Sequence, residues 1–262
     1  MNSNILRLTE KIIHMHRVLL VMILVSLSGC EKRKTLTAQE IVDKSILVSG
    51  GENYKRSNID FDFRDMHYSS KLENGKKILQ RQIKTDTDRI FDRKTSSGFE
   101  RYINDTLMVL ADTTANKFAN SVNSVHYFAY LPYGLNDRAV QKKLLGTVDI
   151  EGKEYHKVEI SFQEEGGGDD YDDVYIYWFN TQTNKPDFLA YEFHVNGGGQ
   201  RFREAFNERT IGGIRFVDYK NYKPKQENTS IYQIDSLYLK NGLELLSEIK
   251  LENIEVSPGS YN

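Results

Sequence analysis

Six apolar runs with a period of two follow one another near residues 147–151, 154–163, 171–179, 186–195, 200–208 and 213–221, with only short polar connections between them. Alternation at two residues sends successive side chains to opposite faces of a strand. Connections of this length cannot carry a crossover between parallel strands, so sequence neighbours must run antiparallel. That confines the C-terminal half of the chain to an antiparallel sheet. Shorter runs near 77–84, 88–93, 98–103 and 106–110 are separated by turn formers such as Asn74-Gly75, Ser97-Gly98 and Asn104-Asp105 and read as a meander. Ile59, Phe61 and Phe63 alternate with Asp60, Asp62 and Arg64, which marks a first strand. Segments 231–239 and 243–256 add one or two more.

Helical spacing occurs in two places. Thr37 and Glu40 form a capping box, with Leu36 and Ile41 placed as a hydrophobic staple, and Gly50-Gly51 supply a left-handed stop. Asp112-Thr113-Thr114 offers an N-cap for a second helix with Ala115, Phe118, Ala119 and Val122 on one face, and Asp137 a cap for a short third one ending at Gly146. No Pro/Ser-rich linker divides the chain. With 16 Tyr and 13 Phe against only four Pro, the composition suits an α+β protein. The expected fold is one α+β domain over residues 36–262, a large curved antiparallel sheet, half-barrel-like, wrapping two or three helices.

Residues 18–27 (VLLVMILVSL) are apolar, preceded by Lys11 and Arg17 and followed by Ser28-Gly29-Cys30. Ten residues are too few to span a bilayer, which needs about 20, and the pattern is that of an export signal. Leu27-Ser28-Gly29-Cys30 resembles the bacterial lipobox, in which the cysteine is acylated and becomes the first residue. Residues 1–29 are therefore expected to be a lipoprotein signal peptide, and 30–35 a lipidated tether that partners a bacterial envelope membrane. Cys30 is the single cysteine of the 262-residue chain, which excludes intramolecular disulfides and cysteine-based metal sites. Loss of Arg7, Lys11, Arg17 and Glu10 with the leader moves the formal net charge from −2 to −4, so nothing draws the chain as a whole to nucleic acid.

Candidate site residues come from strand phase. Asp65 and His67 share the parity of Ile59, Phe61 and Phe63 and are expected to point inward. Glu192 and His194 share that of Phe188 and Ala190, while Leu189, Tyr191 and Phe193 fill the other face. A strand apolar on both faces belongs to a sheet covered on one side and partly enclosed on the other, leaving an aromatic-lined cavity with a few polar groups. The string Gly166-Gly167-Gly168-Asp169-Asp170-Tyr171 is echoed by Gly197-Gly198-Gly199-Gln200-Arg201-Phe202-Arg203. A meander brings both glycine turns to one end of the sheet. Arg201 and Arg203 there either pair with the aspartates, each exposed pair contributing less than about 1 kcal/mol, or contact a polar ligand. No nucleophile elbow, phosphate loop, zinc-protease helix, calcium loop or dinucleotide fingerprint occurs, and no cofactor is implied.

The strings Val48-Ser49-Gly50-Gly51, Phe61-Asp62-Phe63-Arg64-Asp65-Met66-His67-Tyr68, Ser121-Val122-Asn123-Ser124-Val125-His126-Tyr127, Leu131-Pro132-Tyr133-Gly134-Leu135-Asn136-Asp137 and Gly213-Ile214-Arg215-Phe216-Val217-Asp218-Tyr219 resemble those of an uncharacterised lipoprotein family of Bacteroidota-type bacteria. The resemblance covers most of residues 38–225. It implies a fold similar to the periplasmic lipoprotein carriers and receptors, half-barrels that hold acyl chains against helices, and transfers no catalytic residue. The expected function is an envelope lipoprotein binding an amphiphilic or apolar ligand, with polar contacts from Asp65, His67, Glu192, His194, Arg201 and Arg203. An accessory subunit docked on an envelope complex, and a hydrolase using His67 or His194 with a carboxylate, are the two other classes carried forward. Metabolic labelling with a fatty-acid analogue checks the anchor: wild-type chain takes up label and Cys30→Ala takes up none, whereas label retained on the variant contradicts acylation at Cys30.

Overall fold

The computed structural model describes residues 35–165, 172–194, 197–226 and 229–259. Cys30, the signal segment and the Gly166–Tyr171 stretch of the glycine echo lie outside the described residues. Among those described, fourteen strands form two seven-stranded antiparallel sheets. The first contains β1 (Ser57–Phe63), β2 (Met66–Glu73), β3 (Lys76–Lys84), β4 (Arg89–Thr95), β5 (Gly98–Ile103) and β6 (Thr106–Leu107), each beside its sequence neighbour. The second runs through β7 (Val140–Ile150), β8 (Lys153–Phe162), β9 (Val174–Asn180), β10 (Pro186–Phe193), β11 (Gly199–Ile211) and β12 (Ile214–Pro224) in the same way. The last two strands tie the meanders together: β13 (Leu243–Ile249) pairs with β12, and β14 (Glu252–Pro258) pairs with β1.

The crossing between sheets falls at Lys250-Leu251, and buried Asp218 of β12 fixes it. Its carboxylate accepts from the Leu251 N–H at 3.0 Å, from Arg209 Nη2 at 2.9 Å and from Asn207 Nδ2 at 2.7 Å, while Arg209 also donates to the Leu251 carbonyl. A bend in a buried chain exposes backbone groups that must find partners, and this carboxylate and guanidinium supply them.

Helix α1 (Ala38–Ser49) begins with the expected capping box, Glu40 N–H donating to Thr37 Oγ1 at 3.2 Å and Thr37 N–H to Glu40 Oε2 at 2.8 Å. It ends at Gly50, whose φ of 137° favours glycine; a Cβ there would lie 3.1 Å from the Gly213 carbonyl in the β11–β12 turn. A single turn, α2 (Asn53–Arg56), follows. Helix α3 (Asp112–Ala129) packs on β3, β4 and β5. One apolar core joins Ile41 and Val42 of α1, Phe61 and Tyr68 of the first sheet, Ala129 of α3, Leu135, and Val158, Tyr177 and Phe216 of the second sheet. The opposite face of the second sheet is covered too: Ile176, Trp178, Phe188 and Phe202 pack against Ile231 and Ile234. This bears out the expectation that β10 carries apolar side chains on both faces, and the α+β antiparallel class stands, with two sheets joined at Leu251 in place of one.

Three local expectations are corrected. Residues 59–67 are not one strand: Arg64 adopts φ 55° and, with Asp65, makes a two-residue turn that sets Phe63 opposite Met66. Segment 231–239 is a 3-10 turn (Ile231–Gln233) and helix α4 (Ile234–Leu239), because its buried positions Ile231 and Ile234 recur at helical spacing. Asp235 pins it, accepting from Lys157 Nζ at 2.6 Å and Trp178 Nε1 at 3.1 Å. Segment 137–146 is no helix, since Val140 already pairs with Phe162, and Gly146 (φ 135°) sits at a bulge in β7 where the pairing with β8 shifts.

Under α3 the first sheet's inner face turns from apolar to charged. The register places Phe61, Tyr68, Arg81, Asp92 and Arg101 in one row. Fully buried Asp92 accepts from Arg81 Nε and Nη2 at 2.9 and 2.6 Å and from Arg101 Nε and Nη2 at 2.7 and 2.9 Å. Arg81 Nη1 donates to Ser121 Oγ at 2.8 Å, and the Arg101 guanidinium lies 3.4 Å from the Phe118 ring centroid. Removing one partner of such a set typically costs about 3–5 kcal/mol, because a charge is left buried and uncompensated. Beside it His126, 1% exposed, stands edge-on to Phe61 and Tyr68. Its Nε2–H donates to the Gln80 carbonyl at 3.2 Å, which leaves Nδ1 to accept from the Tyr130 hydroxyl at 3.0 Å. Burial, reinforced by Lys77, Lys94 and Arg81, depresses the imidazole to about 4. The unfolded chain then binds a proton near pH 6.5 that the folded chain refuses, so stability falls as pH drops from 6.5 towards 4. Denaturant titrations at pH 7 and pH 4 should show that His126→Gln loses about 3 kcal/mol less than wild type over this interval; equal losses contradict a neutral buried imidazole.

Candidate functional site

The two-residue turn after Phe63 decides where the predicted site residues go. Because Phe63 faces Met66, His67 faces Asp62 and joins the outer, wet face of the first sheet. Its Nδ1 lies 2.8 Å from Asp62 Oδ1 and its Nε2 3.5 Å from Asp60 Oδ1, with Lys71 Nζ also on Asp60. Asp65 is exposed in the turn itself. The expectation that both point inward is thus overturned by turn geometry. They line an open groove of about 590 Å³ whose walls also include the charged Arg64, Lys84, Arg89, Asp105 and Glu252 and the apolar Met66, Ile83 and Ile90. It is a mixed-charge surface, with Arg89 on Asp105 at 3.1 Å.

The remaining four residues separate across the second sheet. Glu192 points to the α4 side, where Gln200 Nε2 donates to it, and exposed His194 lies past the end of β10. Arg201 and Arg203 alone point to the inner face, opposite Tyr191 and Leu189. The six residues do not form one site, and the arginines are the two that meet aromatic side chains on the core side.

Those rings form a continuous series. From the first sheet Phe63 meets Phe128 of α3 at 5.2 Å between centroids. The Arg203 guanidinium lies 5.7 Å from the Phe128 ring and 5.1 Å from that of Tyr191, and Nη2 donates to the Tyr191 hydroxyl at 3.1 Å. Tyr191 stacks on Tyr175 at 5.6 Å, Tyr175 meets Phe162 at 5.6 Å, and Phe162 meets Tyr127 of α3 at 6.4 Å. On the other side Tyr191 meets Phe193 at 6.0 Å, with the Arg201 guanidinium 5.0 Å from that ring. Apart from Phe63, every one of these rings is half-buried. Core rings are buried outright, so a half-buried series marks the edge of the core where it opens.

The first sheet contributes an aliphatic shelf at the same end. Phe63, Met66, Ile83, Ile90 and Ile103 are paired across five strands and so share the inner face. The last four are half-buried, and Ile83, Ile90 and Ile103 pack into neither apolar cluster. Sequence phase alone did not single them out, because each lies in a different short strand and only the register aligns them. The signal was present in the alternation of Ile83 with Lys84 and of Ile90 with Arg89. At the root of the ring series the Tyr127 hydroxyl is buried without a hydrogen bond, and burial holds it well above the ordinary phenol range. Chemically, the arrangement offers apolar contact, π-faces and two cationic forks. No group of three or more potential metal ligands occurs among the described residues.

In structure the chain is similar to a LolA superfamily protein from Nitrosomonas europaea (13% identity, 85% of this chain and 92% of that one, TM-score 0.44). It is also similar to a DUF1329 family protein from Desulfovibrio piger (9% identity, 84% and 93%, TM-score 0.45) and to a domain of the outer membrane lipoprotein-sorting type from Vibrio parahaemolyticus (7% identity, 84% and 94%, TM-score 0.41). No curated protein sequence matches this chain. The model of a family of unknown function, DUF6503, matches residues 14–253, and the chain belongs to that family.

Proposed function

We propose that this chain is a lipid-anchored envelope protein that holds the apolar part of an amphiphile at the open end of its two sheets. The observation that carries the reading is the aliphatic shelf: three isoleucines aligned on an inner sheet face, half-exposed, outside either core cluster, and next to a series of half-buried rings. Apolar area left facing water gains about 25 cal/mol per Å² when an acyl chain covers it. A folded chain that leaves such a shelf open does so at a stability cost, and a ligand relieves that cost. The anchor half of the proposal rests on the lipobox at Cys30; no described helix is long and apolar enough to cross a membrane.

The hydrolase reading has less support. His67 is the histidine with carboxylate neighbours at the groove, but both ring nitrogens face aspartates, and no described hydroxyl or thiol hydrogen-bonds to it. General acid–base work needs a nitrogen aimed at substrate. For docking, the most exposed apolar side chains are few: Leu47 on α1 stands apart from the short run Leu107-Met108-Val109 that leaves β6. Native mass spectrometry of the Cys30→Ala chain incubated with an envelope lipid extract tests the proposal. One amphiphile retained per chain is expected, and Ile83→Asn combined with Ile90→Asn, checked for folding by circular dichroism, should weaken retention about tenfold or more. Retention of nothing, or retention unchanged in the double variant, contradicts it.

A further inference from the structure

We infer that the amphiphile's headgroup is an oxyanion, a carboxylate or a phosphate, received by Arg201 and Arg203 on the inner face of β11. The inference rests on the amphiphile-binding reading and adds the class of ligand. Residues two apart on a strand share a face, so both side chains rise from the inner face of β11, one guanidinium 5.0 Å from the Phe193 ring and the other within reach of the Phe128 and Tyr191 rings. Neither forms an ion pair among the described residues. The acidic side chains nearest on these strands point the other way. Glu192 accepts from Gln200, and Glu204 accepts from Lys220 Nζ at 3.2 Å and the Tyr222 hydroxyl at 3.0 Å.

What the two arginines do have is sparse. Arg201 donates once, from Nη1 to the Gln200 carbonyl at 2.8 Å, and Arg203 once, to the Tyr191 hydroxyl. Arg203 Nε is buried with no hydrogen-bond partner at all. The contrast lies within the same molecule. Arg81 and Arg101 share Asp92, Arg215 has Glu208 at 2.7 Å, and half-buried Arg209 has Asp218; at each of these enclosed positions the fold supplies a carboxylate. Two like charges on one half-buried aromatic face, with unused donors, are poorly solvated. An external oxyanion bonded by their forks supplies the missing counter-charge and completes the hydrogen bonding, because guanidinium geometry matches carboxylate and phosphate oxygens. The rings and shelf beside them take the chain of the same molecule.

Isothermal titration of the Cys30→Ala protein with oleate, dodecyl phosphate, oleyl alcohol and inorganic phosphate tests this. Oleate and dodecyl phosphate should bind about tenfold or more tightly than oleyl alcohol, since charge-assisted bonds are lost with the neutral head. Inorganic phosphate alone, lacking a chain, should show no binding at millimolar concentration. Arg203→Gln and Arg201→Gln should each shrink the oleate-over-alcohol preference while leaving alcohol binding in place, and Arg203→Lys should restore part of it. Arg201, the less enclosed of the two, keeps the test decisive where the Arg203 variant fails to fold. Oleyl alcohol binding as tightly as oleate, a preference untouched in both glutamine variants, or phosphate binding without a chain overturns the headgroup assignment while the apolar site survives. No binding of oleate or of alcohol overturns both.

Discussion

Two sheets joined by a single bent segment need the bend held, and here a buried carboxylate holds it. Asp218 gathers the Leu251 amide, Arg209 and Asn207 at the point where the chain leaves the second sheet for the first. Everything beyond depends on the angle set there: β14 reaches β1, the inner faces share one core, and Gly212, whose Cβ would fall 2.4 Å from Val256 Cγ1, lets the β11–β12 turn lie against β14. A buried charge is costly without complete hydrogen bonding and directional when it has it. The same device recurs where Asp92 fixes α3's neighbours and where Asp235 fixes α4 on Lys157 and Trp178. Aromatic bulk fills this protein, and three buried aspartates orient its parts.

Much of the architecture was written in the alternation of apolar residues. Strands β3 to β5 and β8 to β12 fall close to the runs that mark them, and the capping box at Thr37 and Glu40 starts α1 where it should. What was not legible depends on contacts distant in sequence. Arg64-Asp65 carries no Asn-Gly or Gly-Gly turn signal, so the hairpin between β1 and β2 was hidden, and one missed turn sent His67 to the wrong face. Arg81, Asp92 and Arg101 look like solvated charges in the sequence, and only their pairing across three strands explains their burial. Helix α4 reads as a strand in the sequence because six residues of short periodicity fit either pattern.

The candidate site was half legible for the same reason. Arg201 and Arg203 stood out through the glycine echo, whose first copy lies outside the described residues, whereas Ile83, Ile90 and Ile103 become a surface only when the register aligns them. Polar groups at the open end divide by face: His67 stands on the outer face against aspartates, and the arginine pair stands on the inner face without a carboxylate among the described residues. That division is the physical ground for placing ligand chemistry on the inner face.

The most direct test of this placement locates the bound chain. Methyl-labelled Met and Ile residues, with an otherwise deuterated protein and protonated oleate, allow nuclear Overhauser contacts from acyl protons to be assigned residue by residue. Contacts are expected to Met66, Ile83, Ile90 and Ile103, strongest at the three isoleucines that lie outside the core. Contacts confined instead to Ile231 and Ile234, at the start of the α4 segment, or to Ile78 away from the shelf, would place the ligand elsewhere and contradict this placement.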